Sequence, residues 1–147
     1  IEQYADLTAK IAEIQAESEQ AADALKGVEK RLSDMALLIK NVSTFQKTKP
    51  AYDAYRRARN KESYRAAHER GIILHEAAAK ALKAAGVSKL PNLGTLQAEY
   101  EKLQAQKEAL YADYGKLKKQ VREYDVIKQN IDGILRQEKE PEREKER

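Results

Sequence analysis

Two histidines seven residues apart are the side chains in this sequence best suited to metal or acid–base chemistry. His68 and His75 are each followed by glutamate. His75-Glu76-Ala77-Ala78-Ala79 opens like the helix of a zinc protease, but the position of the second ligand holds Ala79. On a helix, seven residues set the two imidazoles roughly 10.5 Å apart along the axis. One metal reaches only about 2.1 Å to each ligand. The pair is therefore expected to pack on the inner face of a helix. The six glycines are isolated, so no loop cradles phosphate. Carboxylates are plentiful, but they lie among the charges of solvated helix faces with no apolar pocket to tune them. Cysteine is absent, which excludes disulfides and thiolate metal sites. The expectation is a non-enzymatic segment with no catalytic residue, no metal ligand and no cofactor.

A different chemistry is written around Tyr52 and Tyr55. Lys47, Lys49, Arg56, Arg57, Arg59 and Lys61 surround them, opposed within 46–61 only by Asp53. Cations interleaved with aromatic rings suit contact with a nucleic-acid backbone and stacking on bases. The competing expectation is a solvated basic surface with the tyrosines packed beneath it. The net charge of +4 hides this concentration. Residues 1–45 hold five Lys/Arg against eight Asp/Glu, residues 46–89 hold 11 against 4, and residues 90–147 hold 12 of each. Positive charge thus gathers between two neutral or acidic stretches.

Those stretches are the elements that must present it. In steps of three and four, Tyr4, Leu7, Ile11, Ile14, Ser18, Ala21, Leu25, Val28, Leu32, Met35, Ile39 and Val42 form a heptad seam broken only by Ser18. A helix over it spans roughly 57 Å and needs a partner along its length. Leu93, Leu96, Tyr100, Leu103, Lys107, Leu110, Tyr114, Leu117, Val121, Tyr124, Lys128, Ile131 and Leu135 form the second seam, which near Lys128 can step through Ile127 instead. The fold expected is all-α, a long antiparallel coiled-coil hairpin with two shorter helices inserted at its tip. Its arms cover about 1–45 and 92–135, its insert 46–91, and together they make one domain, 1–135. Contacting positions in such a hairpin sum to about 138, so Leu7 faces Ile131, Leu25 faces Asp113 or Tyr114, and Ser18 faces the stretch 117–121.

Within the insert, Val42-Ser43-Thr44-Phe45 lowers helix propensity and is expected to end the first arm near 41–45. Pro50 then suits the first position of a short helix over 51–59. Asn60 caps a helix from Lys61 to about Ala85, with the stripe Tyr64, His68, Gly71, His75, Ala78, Leu82. Gly71 marks a possible kink in it, and Gly86 stops it with Val87 folded back. Asn92 or Thr95 caps the second arm. The tail, 136–147, is nearly all charge with Pro141 inside and is expected to be disordered. No apolar run approaches a membrane span or a signal peptide, so a cytoplasmic protein is expected. The chain opens on Ile and enters helix at once, as a piece of a longer polypeptide would.

Several stretches taken together resemble a known family. They are Ala54-Tyr55-Arg56-Arg57-Ala58, Ile73-Leu74-His75 with Ala77-Ala78 and Lys80-Ala81, and Lys89-Leu90-Pro91. Leu96-Gln97-Ala98-Glu99-Tyr100 and Lys128-Gln129-Asn130-Ile131-Asp132 before Ile134-Leu135 complete the set. In this order and spacing the chain, from about 44 to 135, is similar to the C-terminal region of relaxase or mobilisation proteins of Gram-positive conjugative and mobilisable elements. The resemblance implies a parent that nicks one DNA strand at a transfer origin, with a Tyr nucleophile and a metal held by a His-hydrophobic-His motif. That motif is absent here, so the nuclease would lie upstream of Ile1 and no catalytic residue carries over. The implied partners are DNA, other transfer-complex proteins and a second copy of the chain, with no membrane contact. The alternative is a coiled-coil dimerisation or spacer module that touches no nucleic acid.

Overall fold

A computed structural model describes the backbone of residues 2–146 and the side chains of residues 3–137. It is all-helical: α1 (Glu2–Arg57), α2 (Lys61–Ala67), α3 (Glu69–Ala84) and α4 (Leu93–Glu146), with no strand among the described residues. The expectation of a disordered tail over 136–147 falls almost wholly outside the residues whose side chains are described. Two compact units divide the chain, one of Ile1–Val28 with Gln106–Arg147, the other of Glu29–Ala105.

In the first unit the seam residues turn away from solvent. Ile11, Ile14, Leu25 and Val28 are buried, and Tyr4, Leu7, Ser18 and Ala21 are half-buried. On α4, Lys107, Leu110, Tyr114, Leu117, Val121, Tyr124, Lys128 and Ile131 are half-buried too, whereas Leu135, the last position expected on the seam, is exposed. The seam runs through Lys128 and not through Ile127, which is 46% exposed. A lysine can occupy such a position because its aliphatic stem covers apolar surface while the ammonium reaches water. The Tyr4 hydroxyl donates to Asp132 Oδ1 at 2.8 Å. That bond, then burial and the carboxylate charge, hold the phenol's pKa above its ordinary value. Ser18 lines a cleft of about 480 Å³ with Gln15, Glu19, Lys118, Val121 and Arg122. A polar, short side chain in an apolar seam leaves this volume unfilled.

The second unit has its core at Val42, Leu82 and Leu96, with Met35, Leu38, Ile39, Phe45, Val87 and Leu93 packed against them. Val42 and Ile72 are fully buried. Burying side chains of that size contributes roughly 1.5–3 kcal/mol each. This core corrects the expected helix end near 41–45: α1 continues to Arg57 and carries Pro50 inside it. Val42 and Phe45 lie in the packing just described, and the Thr48 hydroxyl donates back to the Thr44 carbonyl at 2.7 Å. Packing of one face outweighs the modest propensity cost of Val, Ser, Thr and Phe.

A second correction concerns the helix expected over 61–85. It is two helices, and the joint is His68 rather than Gly71. His68 leaves helical geometry at φ −125° and ψ 27°, closing α2 through its N–H to the Tyr64 carbonyl. The joint resets the helical phase, so Ile72, His75, Ala78 and Leu82 form the buried stripe of α3. His68, expected on the inner face, is exposed instead. The caps follow the sequence. Asn60 Oδ1 accepts from Ser63 N–H at 3.0 Å, and Asn92 Oδ1 accepts from Thr95 N–H at 3.2 Å. Gly86 takes φ +78°, a conformation that suits glycine. Its N–H reaches the Lys83 carbonyl while Val87 N–H reaches Leu82, a Schellman closure with Val87 folded onto the core.

Candidate nucleic-acid interface

The cations expected to contact DNA lie on the last turns of α1, in the linker after it and at the start of α2. Lys47, Lys49, Arg56, Arg57, Arg59 and Lys61 are all exposed. Helical spacing brings Lys49, Asp53 and Arg57 onto one face, four residues apart. Lys49 Nζ sits 3.1 Å from Asp53 Oδ2, and Arg57 Nε donates to the Asp53 carbonyl at 3.3 Å. The single acidic residue of 46–61 is thus engaged locally, in an exposed pair of the kind that contributes little to stability. Among the described residues, Lys47, Arg56, Arg59 and Lys61 pair with no carboxylate. Their side chains offer forked and single N–H donors to an incoming anion.

The tyrosines have a different setting. Tyr52 and Tyr55 are half-buried. Tyr52 stacks on His75 with centroids 4.3 Å apart and planes 19° apart. Phe45 lies against His75 at 4.4 Å. The sequence of rings continues from Tyr52 to Tyr55 at 6.0 Å, to Tyr64 at 6.5 Å, and from Tyr64 to His68 at 4.3 Å. Arg65 lies over the Tyr55 ring at 5.7 Å and donates to Glu76 Oε1 at 2.8 Å. The bond to Glu76, then that to Tyr55, raises the guanidinium's already high pKa. Six rings from α1, α2, α3 and the α2–α3 joint therefore form one connected set, from half-buried Phe45 and buried His75 to His68 at its exposed end.

His75 is 4% exposed. Its Nδ1 is 2.9 Å from Thr48 Oγ1. Since the Thr48 hydroxyl proton goes to the Thr44 carbonyl, the tautomer that fits is Nδ1–H donating to Thr48. Burial pushes the imidazole pKa below 6.5, against the opposing effect of the Phe45 carbonyl and Asp53. A hydroxyl beside an imidazole suggests a nucleophile and its base. Here the hydroxyl proton is already committed to a carbonyl, and Phe45 and Tyr52 cover the ring's faces, so no substrate atom has a place beside it.

Sequence reasoning named the cations and both tyrosines but not Phe45, Thr48, Tyr64 or Arg65 as their framework. Phe45, Thr48 and Tyr52 are spaced three, four and seven apart, which places them on one face of α1. Nothing in the sequence says that His75 opposes that face. Among the described residues no three His, Asp or Glu side chains gather to hold a metal ion. No described helix is long and apolar enough to cross a membrane. Comparison with protein-family models, with curated proteins and with solved structures finds no match.

Proposed function

We propose that this chain is a non-catalytic helical domain of a cytoplasmic DNA-mobilisation relaxase, supporting conjugative transfer by contacting the DNA backbone. The observation that carries the nucleic-acid part is the set of exposed cations at Lys47, Arg56, Arg59 and Lys61, with Arg57 and Lys49 beside them and Asp53, the single acid of 46–61, already engaged. The relaxase assignment adds the sequence resemblance to this surface. Contact is through phosphates, because Tyr52 and Tyr55 belong to the ring framework. These rings hold the end of α1 against α3 and so fix where the cations point. The finer architecture we infer is the antiparallel coiled-coil hairpin. Tyr4 meeting Asp132 in one unit, and Val42 sharing a core with Leu96 in the other, support that register within two residues.

Binding of fluorescent single- and double-stranded DNA across a salt series tests the nucleic-acid reading. Neutralised phosphates release counterions, so affinity falls by roughly 0.7–0.9 log units per log unit of salt for each contact. With four to six contacts, binding is weak and indifferent to sequence at physiological salt, on the order of micromolar or weaker. The triple change Arg56→Glu, Arg57→Glu, Arg59→Glu, with helix content verified by circular dichroism, abolishes it. Unchanged affinity and salt slope in that protein would leave a purely structural dimerisation or spacer role. Sequencing the coding region upstream tests the parent: a His-hydrophobic-His segment is expected there.

A further inference from the structure

An apolar stripe on α4 lies outside the seam and outside the basic surface. Val126 is 56% exposed, Ile127 46% and Ile134 57%. Asn130 and Gly133 are exposed between them. At 3.6 residues per turn these five positions share one face roughly 120° wide, turned away from the half-buried Tyr124, Lys128 and Ile131. Three large apolar side chains in nine residues, on an otherwise charged helix, are more than scattered surface residues account for.

We propose that this stripe is the contact between two copies of the chain, packed antiparallel about a two-fold axis at Asn130. The arrangement of residues is self-complementary in that geometry, as an isologous contact requires. Two-fold pairing sets Ile127 against the partner copy's 134 position on one flank. On the other it sets Val126 against the partner copy's 133 position. Gly133 has open space where a Cβ would stand, so it receives the valine. Asn130 meets its own counterpart, and two amides can satisfy one another by donor and acceptor. A single seam asparagine of this kind fixes register and orientation. Charge agrees with the direction. Residues 116–122 carry four Lys/Arg and no acid, whereas 138–146 carry five Glu against three Lys/Arg. With the axis at Asn130, an antiparallel register aligns 116–122 of one copy with 138–144 of the other in sequence, while a parallel register aligns each block with its own kind. The contact is small, so the dimer is weak, with a dissociation constant on the order of 100 µM.

The chain has no cysteine, which makes cross-linking a clean test. In the full chain, Asn130→Cys introduces a thiol that meets itself at the axis, and mild oxidation is expected to give a disulfide dimer. Val126→Cys sets the two thiols roughly 12 Å apart along the helix axes, too far for a bond. It is expected to cross-link at least tenfold more slowly. Sedimentation equilibrium on the unmodified chain is expected to show a concentration-dependent dimer, and Ile134→Glu, with unchanged circular dichroism, is expected to weaken it tenfold or more. A strict monomer overturns the proposal. So does association untouched by Ile134→Glu, which would place the contact elsewhere. Equal cross-linking of the two cysteine variants indicates a parallel pair and overturns it as well.

Discussion

His75 links the chemistry of one residue to the stability of the second unit. Its folded pKa lies below the unfolded value near 6.5, so the unfolded chain binds more protons in the window between them. The contribution of neutral His75 is therefore fully present above 6.5 and declines as pH falls through 6.5 towards the folded value. Asp53 and Glu76 act against the shift and Lys49 with it, but burial dominates. Melting temperature is expected to fall between about pH 7.5 and pH 5.5, and His75→Phe, which keeps a ring between Phe45 and Tyr52, is expected to flatten that slope. An identical slope in the variant would assign it to other groups. Two glycines make a matched pair at the same scale. A Cβ at Gly71 would meet Ala51 Cβ at 4.0 Å, ordinary contact, so Gly71→Ala is expected to gain about 0.5–1 kcal/mol inside α3. Gly86→Ala is expected to lose about 1–2 kcal/mol, since φ is +78° there. Urea unfolding of both measures the contrast.

Among the elements, the seams and caps were legible and the joints were not. Period 3.5 spacing marked the twelve seam positions of α1 from Tyr4 to Val42, all of them buried or half-buried, because an apolar stripe is a local property of the sequence; it missed Leu38, which packs on the core of the second unit. Asn60, Asn92 and Gly86 were legible for the same reason: each acts on backbone groups within a few residues. The passage of α1 through Pro50 was not, because the stabilising contacts come from α3, and neither was the joint at His68. The cationic side chains of the candidate site were evident from charge alone, whereas the ring framework depends on which α3 residue faces α1. Pro50 still lacks the N–H that would reach the residue 46 carbonyl. Pro50→Ala restores it and is expected to gain about 2 kcal/mol, the interior cost of proline less the looser unfolded chain. In the first unit, Ser18→Leu fills the cleft beside Val121 and is expected to gain about 1 kcal/mol. The checkable signature is a higher urea midpoint with an unchanged slope. A lower midpoint would mean that the cleft cannot take the added volume.

For the whole molecule, the deciding quantity is where charge sits rather than how much there is. The net +4 is the balance of an acidic first third, a strongly basic middle and a neutral remainder. A site-specific interface and a diffuse attraction then differ in what a charge-matched control does. Changing Lys10, Lys26 and Lys30 to Glu reverses three cations, two charge units each, and takes the net charge from +4 to −2. The triple change of Arg56, Arg57 and Arg59 does the same. Long-range attraction is screened within about 10 Å at 0.1 M salt, so only contacts made at the surface itself persist there. At that salt the first variant is expected to bind duplex DNA within about threefold of the parent, with the same salt slope. The second is expected to lose binding, and Lys47→Ala alone to lower the slope by about 0.9 through one lost phosphate contact. Because Tyr52 stacks on His75 and Tyr55 lies among Tyr52, Tyr64 and Arg65, single strands are expected to gain little from stacking. Single- and double-stranded probes of equal length are expected to bind within a few-fold of each other, where free aromatic platforms would contribute about 1–3 kcal/mol per base. Equal losses in the two triple variants would reduce the interaction to net charge and remove the case for a DNA-contacting surface at the end of α1.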